Sequence, residues 1–336
     1  MTDYKALFDE YRAKIDTALS HYLQTQTKRS YFSEKQYPHT LFIPLNYIMD
    51  GSGKRIRPLI LLICCETFGG TVDDALNAAI AVEILHNFTL VHDDIMDNAD
   101  TRRNKVTIHK KWDINTAILV GDELIGLSYR SLLNTRTGRL DEVVKAFTDG
   151  VIEVCEGQAL DKEYETSTDV TLEDYMNMIR KKTAELLRIA AMMGCIIANA
   201  NEKDLLAISG YAENLGLAFQ IQDDLLDVIA NEEKFGKKIG GDILEKKKTY
   251  LYLKALELSN DGEREILKDI YNSDDKAAGK IKEVINIYRR LKVEDYAKKD
   301  VEYFTEKAND CLAMIDSTEG KSKLNYFSNT LLNRNY

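Results

Sequence analysis

Residues 91–103 read VHDDIMDNADTRR, and Asp93, Asp94 and Asp97 close an apolar-periodic run that begins near Ala75. If that run is helical, Asp93 and Asp97 lie one turn apart on one face, where two carboxylates can share a hard cation. Magnesium takes oxygen ligands and keeps several waters, so a site of one or two carboxylates expects a phosphate to complete its shell. Arg102 and Arg103 follow, and guanidinium forks match phosphate oxygens. A lone DDxxD is more often a solvated acidic helix end. A second copy changes the weighing. FQIQDDLLDV places Asp223, Asp224 and Asp227 after another long apolar run, with Lys237, Lys238, Lys246, Lys247 and Lys248 behind it. Six carboxylates gathered in a low-dielectric cleft would repel one another, so the duplicated pattern makes sense with cations between them and points to a metal-dependent diphosphate site.

A basic block, GSGKRIRP, precedes both motifs. Gly51 and Gly53 permit a tight turn, Pro58 suits the first turn of a helix, and Lys54, Arg55 and Arg57 crowd that helix start. Positive charge there opposes the helix dipole, a misfit that a bound phosphate would resolve. His86 lies seven residues before Asp93, on nearly the same helical face. Glu83 and His86 form a Glu-x-x-His pair, the unit of a di-iron bundle. Such a bundle needs a second pair, and none of the other histidines has Glu three residues upstream.

The elements that must position these residues read as helices. No proline follows Pro58 in a chain rich in Leu, Ala, Glu and Lys, where average usage predicts about fifteen or more prolines overall. Phe8, Tyr11, Ile15, Leu19 and Tyr22 mark an amphipathic first helix, and Ser30 to Pro44 reads as a connection. Helices are expected at Asn115 to Leu133, Leu140 to Glu165 and Thr171 to Ala198, the last opened by Thr171 with Asp174. Asn201 with Asp204 opens the second aspartate helix, on which Gln220 lies one turn before Asp224. Val293 to Ile315 and Lys321 to Asn333 carry alternating charge and read as scaffold. Nothing marks a linker, so residues 1–336 are expected to form a single all-α domain, a large bundle of long antiparallel helices around a central acidic cavity.

Charge and cysteine usage exclude other classes. With 45 basic and 55 acidic residues the net charge is −10, the wrong sign for non-specific nucleic-acid binding. No run of 18 apolar residues could span a membrane, and MTDYKALFDEYRAK lacks signal-peptide architecture, so a soluble, cytoplasmic protein is expected. Cys64, Cys65, Cys155, Cys195 and Cys311 show no metal spacing and suit reduced core thiols.

Together, GSGKRIRP, HNFTLVHDDIMDNADTRR, GQALD, KKTAELL, FQIQDDLLD and GKKIGGDILEKKKT resemble the trans-isoprenyl diphosphate synthases, or polyprenyl synthetases, over roughly Gly51 to Leu256. The resemblance implies a homodimeric prenyltransferase condensing an allylic diphosphate with isopentenyl diphosphate, using three Mg²⁺ ions with substrate bound, for which Mn²⁺ can substitute. It implies metal ligation by Asp93, Asp97, Asp223 and Asp227, and isopentenyl diphosphate contacts from Lys54, Arg57, His86 and Arg103. It also implies allylic diphosphate contacts from Arg102, Lys182, Thr183, Gln220, Lys237 and Lys247. Gln158 and Asp161 match its GQxxD block, and Asp242 matches an acid behind the ligands. Asn104 stands where the family usually has glycine; asparagine tolerates a left-handed backbone.

Two other readings compete. A class I terpene cyclase would carry an Asn/Asp-Asp-x-x-Ser/Thr-x-x-x-Glu second motif and has no need of GSGKRIRP. A silent partner subunit would be expected to have lost carboxylates, and all six are present. Product length is set by where the growing tail stops along the first aspartate helix. Helical arithmetic puts Thr89 directly below Asp93 with Leu85 and Val82 beyond, and Phe88 rotated to one side. The resemblance treats Phe88 as a floor residue. Thr89 is smaller than the aromatic residue that many farnesyl synthases of that family carry there, so the resemblance favours a geranylgeranyl product, with farnesyl or longer chains as the alternatives.

Overall fold

The computed structural model describes residues 3–27, 38–51, 53–229, 241–272 and 278–332. Both aspartate motifs end long helices whose starts are capped by side chains. Thr71 accepts from the amide of Asp74 at 3.2 Å and opens the helix Val72–Met96 (α4). Asn201 accepts from the amide of Asp204 at 3.0 Å and opens Glu202–Ile229 (α10). Each cap satisfies an amide that the first helical turn leaves without a partner.

The chain divides into two compact units, each described by itself. The first comprises Met1–Thr148, Ile189–Leu205 and Asp316–Tyr326. It holds Tyr4–Thr27 (α1), His39–Met49 (α2), Ile56–Thr67 (α3), α4, the short helix Ile108–Lys111 (α5) and Ile114–Leu132 (α6). Helix α4 packs on α1, α3 and α6, and its buried residues run all round it from Ala75 to Asp94. Phe8, Tyr11, Ile15, Leu19 and Tyr22 are buried as the periodicity predicts. Leu140–Thr166 (α7) and Glu185–Ile197 (α9) each contribute only part of their length to this unit. At Gly194 of α9 a Cβ would lie 2.2 Å from the carbonyl oxygen of Leu61, so glycine there lets α9 meet the α3 backbone.

The second unit comprises Asp149–Arg188, Leu206–Ile315 and Phe327–Tyr336. It contains most of α7 and α10, Leu172–Ile179 (α8), Gly241–Leu244 (α11), Tyr250–Leu258 (α12), Asp261–Asn272 (α13), Ala278–Arg290 (α14) and Val293–Ala313 (α15). Helix α12 packs against α8, α13, α14 and α15 through the buried Tyr250, Leu251, Tyr252 and Leu253. Thr318–Leu332 (α16) belongs to the first unit up to Tyr326.

Three expectations need correction, and one short element was not foreseen. The stretch read as a connection up to Pro44 contains α2, which starts at His39 and carries Pro44 inside it. That proline forfeits a main-chain hydrogen bond yet is buried with Leu45 and Met49, so packing overrides propensity. Thr101–Arg102 (β1) pairs antiparallel with Lys105–Val106 (β2), a short unforeseen hairpin that is the one strand pair among the described residues and leaves the all-α class standing. The helix expected to run from Thr171 to Ala198 is interrupted at Arg180–Ala184, which winds as a π-helical turn. Finally, the thiols of Cys64, Cys65 and Cys195 are buried, but Cys155 is exposed.

Candidate active site

In the first unit, the end of α4 presents the first motif with its three carboxylates in unlike settings. Asp94 is buried, and its Oδ1 accepts from Arg102 Nε at 2.5 Å; Arg102 Nη2 reaches Asp93 Oδ2 at 3.4 Å. Burial pushes the Asp94 carboxyl above its ordinary value, Arg102 opposes that, and Asp93 and Asp97 add to it. Asp93 and Asp97 are less enclosed, and the Asp97 amide bonds the Asp93 carbonyl at 2.8 Å, which ends the helix.

The hairpin delivers Arg102. Arg103 and Asn104, at φ 51° and 61°, supply the two left-handed central residues of a type I′ turn, so Asn104 performs the backbone task of the usual glycine.

The basic block is tied to α4 by Arg55, which stands at the α3 start with φ 50°. Its buried guanidinium donates to Glu83 Oε1 at 2.6 Å, Asp16 Oδ1 at 2.7 Å and the Gly51 carbonyl at 3.2 Å. A Cβ at Gly53 would sit 2.9 Å from Arg55 Nη1 and 3.4 Å from Arg103 Nη1, so the turn passes close to both guanidinium groups. Sequence reasoning missed this role of Arg55. The available signal was Glu83, weighed only as half of a metal pair.

Arg57 Nη1 lies 3.3 Å from His86 Nε2. A guanidinium can only donate, so Nε2 accepts and the neutral ring carries its proton on Nδ1, which has no hydrogen-bond partner among the described residues. Part of the His86 surface is accessible, but the enclosing protein, followed by Arg57, Arg103, Arg102 and Arg55, holds its pKa well below the ordinary histidine value. Lys54 is exposed, its carbonyl accepting from Arg12 Nε at 3.4 Å. This arrangement, several guanidinium groups around a neutral N–H donor, suits an anion.

Farther along α4, Leu85 and Phe88 are buried, and Thr89 donates to the carbonyl of His86 at 2.8 Å. The Phe88 ring meets His92 edge-to-face at 4.7 Å. His92 lies across Gly121 of α6, where a Cβ would fall 2.1 Å from its Nε2.

In the second unit the middle aspartate is again the buried one. Asp224 accepts from Tyr175 Oη, Gln220 Nε2 at 2.9 Å and the Tyr250 amide at 3.1 Å. Burial raises its pKa to about 6, these hydrogen bonds opposing the rise and Asp223 adding to it. Asp223 and Asp227 are partly accessible. Asp227 Oδ2 accepts from the Asp242 amide at 3.0 Å, inside the first turn of α11. Burial, then Asp224 and Asp227, push Asp242 up to about 8.

A cavity of about 140 Å³ collects Lys182, Thr183, Gln220, Asp224, Asp242 and Lys247, joined by Asp161, Tyr164, Tyr175 and Lys248. Lys182 Nζ donates to Asp161 Oδ2 at 2.6 Å, and Thr183 Oγ1 to Gln220 Oε1 at 2.9 Å. Lys247 pairs with Glu245 at 2.9 Å. Lys248 Nζ donates to the carbonyls of Tyr164, Glu165 and Ser167, closing the end of α7. Gln158 is not among the lining residues. Lys237 lies outside the described residues. Tyr175 was missed because the sequence around it read only as a helix start: Thr171 and Asp174 do form that capping box, and it seats Tyr175 one residue later.

The polyprenyl synthetase family profile matches residues 38–288. The short chain isoprenyl diphosphate synthase of Methanothermobacter thermautotrophicus is 36% identical over 300 residues, covering 89% of this chain and 92% of that protein. The geranylgeranyl diphosphate synthase of Sulfolobus acidocaldarius is 38% identical over 275 residues, 81% of this chain and 83% of that one. Among solved structures, the geranylgeranyl pyrophosphate synthetase of Pyrococcus horikoshii superposes with a TM-score of 0.89 at 33% identity, covering 99% of this chain and all of that one. The two aspartate motifs, the arginine-rich helix start and the lysine-lined cavity therefore sit in a chain that belongs to the polyprenyl synthetase family, the trans-prenyltransferases.

Proposed function

We propose that this chain condenses an allylic diphosphate with isopentenyl diphosphate and releases a trans-polyprenyl diphosphate, with geranylgeranyl diphosphate as its main product. The observation that carries the reading is the gathering of Lys182, Thr183, Gln220 and Lys247 with Asp224 around one cavity, in a chain of this family. Relatives named geranylgeranyl diphosphate synthase support the product class.

The donor chemistry fits Mg²⁺. Each motif sets two partly accessible carboxylates around a buried one held by hydrogen bonds, and hard oxygen donors are what this ion takes. In the first unit Asp93 and Asp97 would hold it, and in the second Asp223 and Asp227, with Asp94 and Asp224 bracing their neighbours. When bound it would neutralise charge on the departing diphosphate.

The chain's own groups do the rest. Lys182, Lys247 and Arg102 bind the allylic diphosphate and stabilise the charge that develops as its carbon–oxygen bond breaks. Lys54, Arg57 and Arg103 bind isopentenyl diphosphate, and the Nδ1–H of neutral His86 donates to it. Its double bond then attacks the allylic cation, and an oxygen of the departed diphosphate takes the proton whose loss restores an allylic product. No side chain acts as a nucleophile. Leu85, Phe88 and Thr89 line the path of the growing tail along α4.

No helix among the described residues is long and apolar enough to cross a membrane. The reading places the chain in the cytoplasm as a homodimer, with residues 1–336 acting as one catalytic domain. The decisive experiment incubates the purified protein with isopentenyl diphosphate, each of three allylic primers and Mg²⁺, then chromatographs the dephosphorylated products. A C20 alcohol is expected; cyclised hydrocarbons or no elongation at all would refute the assignment.

A further inference from the structure

The π-helical turn Arg180–Ala184 carries Lys182 and Thr183, and two helices of the same unit press on its main chain through glycines. On α7, a Cβ at Gly157 would lie 2.4 Å from the Lys182 nitrogen and 2.8 Å from both Lys181 C and Lys182 Cα. On α10, a Cβ at Gly216 would lie 2.6 Å from Ala184 Cα and from its Cβ. Real Cβ atoms do not approach so closely, and these obstacles are main chain or the first side-chain carbon, which cannot rotate away.

Four residues after each glycine, one helical turn along the same face, stands the group that receives the adjoining side chain. Gly157 is followed by Asp161, which accepts from Lys182 at 2.6 Å, and Gly216 by Gln220, which accepts from Thr183 at 2.9 Å. The same device thus occurs twice: a glycine admits the turn's backbone, and a polar residue one turn on catches its side chain. A π-helical turn is rare and tends to be kept at functional positions, and this one places two of its polar side chains, Lys182 and Thr183, on the cavity wall.

We propose that Gly157 and Gly216, with Asp161 and Gln220, form two matched clamps. They act as positioning residues for the allylic diphosphate subsite, fixing Lys182 and Thr183 where that diphosphate binds. The proposal rests on the reading of Lys182 as an allylic diphosphate contact.

The test is steady-state kinetics on the full chain with both substrates varied. Gly157→Ala and Gly216→Ala are expected to raise KM for the allylic diphosphate tenfold or more while KM for isopentenyl diphosphate stays within twofold. Gly126→Ala, on α6 where a Cβ meets nothing within 4 Å, should change neither. Asp161→Asn keeps the glycine and decides the matter should the alanine variants fail to fold; a fivefold or greater rise confined to allylic KM is expected. Lys182→Ala separates the two ideas. If it is selective for the allylic side while the folded glycine variants, or Asp161→Asn, change neither constant or both equally, the clamps are wrong. If Lys182→Ala itself shows no selectivity, the subsite reading fails and takes the proposal with it.

Discussion

Glu83 and Arg55 form an ion pair at 2.6 Å with side chains only 3% and 7% exposed, and this pair anchors the basic turn to α4. Burial works against the Arg55 charge, and Glu83 and Asp16 together outweigh it. Glu83→Gln would keep an acceptor but leave the guanidinium with the exposed Asp16 as its only charged partner of the two. Stranding one member of a buried pair costs about 3–5 kcal/mol. Asp16 is 55% exposed, so Asp16→Asn should cost less than about 1 kcal/mol despite its 2.7 Å contact. The double variant Arg55→Met/Glu83→Leu removes both charges and should recover to within about 1 kcal/mol of the parent, because an apolar pair carries no desolvation penalty. The measurement is a double-mutant cycle in urea unfolding, with KM for isopentenyl diphosphate alongside, since the loosened turn carries Arg57. A loss below about 1 kcal/mol for Glu83→Gln, or a double variant as unstable as the worse single one, would show that this pair does not hold the turn.

Asp93→Ala or Asp223→Ala should lower the condensation rate by about three orders of magnitude or more, and chelation should abolish activity; full turnover in chelator would end the metal reading. His86, held below the ordinary histidine range, should stay neutral in NMR titrations from pH 8 down through about 6.5. Because folding lowers its pKa, the unfolded chain takes up more protons as pH falls, so the fold loses stability below about pH 6.5, and His86→Gln should flatten that loss in urea midpoints. Phe88→Ala should lengthen the products and Thr89→Phe shorten them; unchanged chromatograms from both would remove this face of α4 from length control.

What could be read from the sequence depended on how local the cause was. Thr171 and Asn201 cap helices through residues three positions away, and the all-α class followed from the absence of proline after Pro58 in a chain rich in Leu, Ala, Glu and Lys. The two motifs were visible because carboxylate spacing is itself the chemistry. The distinction within each motif was not, because Asp94 is buried by Arg102 eight residues on, and Asp224 by Tyr175 49 residues back and Tyr250 26 ahead. The hairpin was within reach, since Arg103 and Asn104 sit where a type I′ turn needs them, but a two-residue strand has no periodicity to detect. The π-helical turn had no signal of its own in Arg180–Ala184; the glycines that its main chain packs against, Gly157 and Gly216, lie on other helices.

The hairpin after the first motif has a consequence in time. Two-residue loops give up little chain entropy on closing, and hairpins form in about 1–10 μs. Arg102 is therefore carried to Asp94 by a local turn, and Tyr47 on α2, bonded to Lys105 and Val106, then holds the hairpin in place. A guanidinium already oriented when substrate arrives spends none of the binding energy on its own ordering. A loop of several more residues in place of Arg103 and Asn104 would keep every charge and forfeit that readiness, turning a fixed electrostatic wall into one each substrate molecule must first assemble.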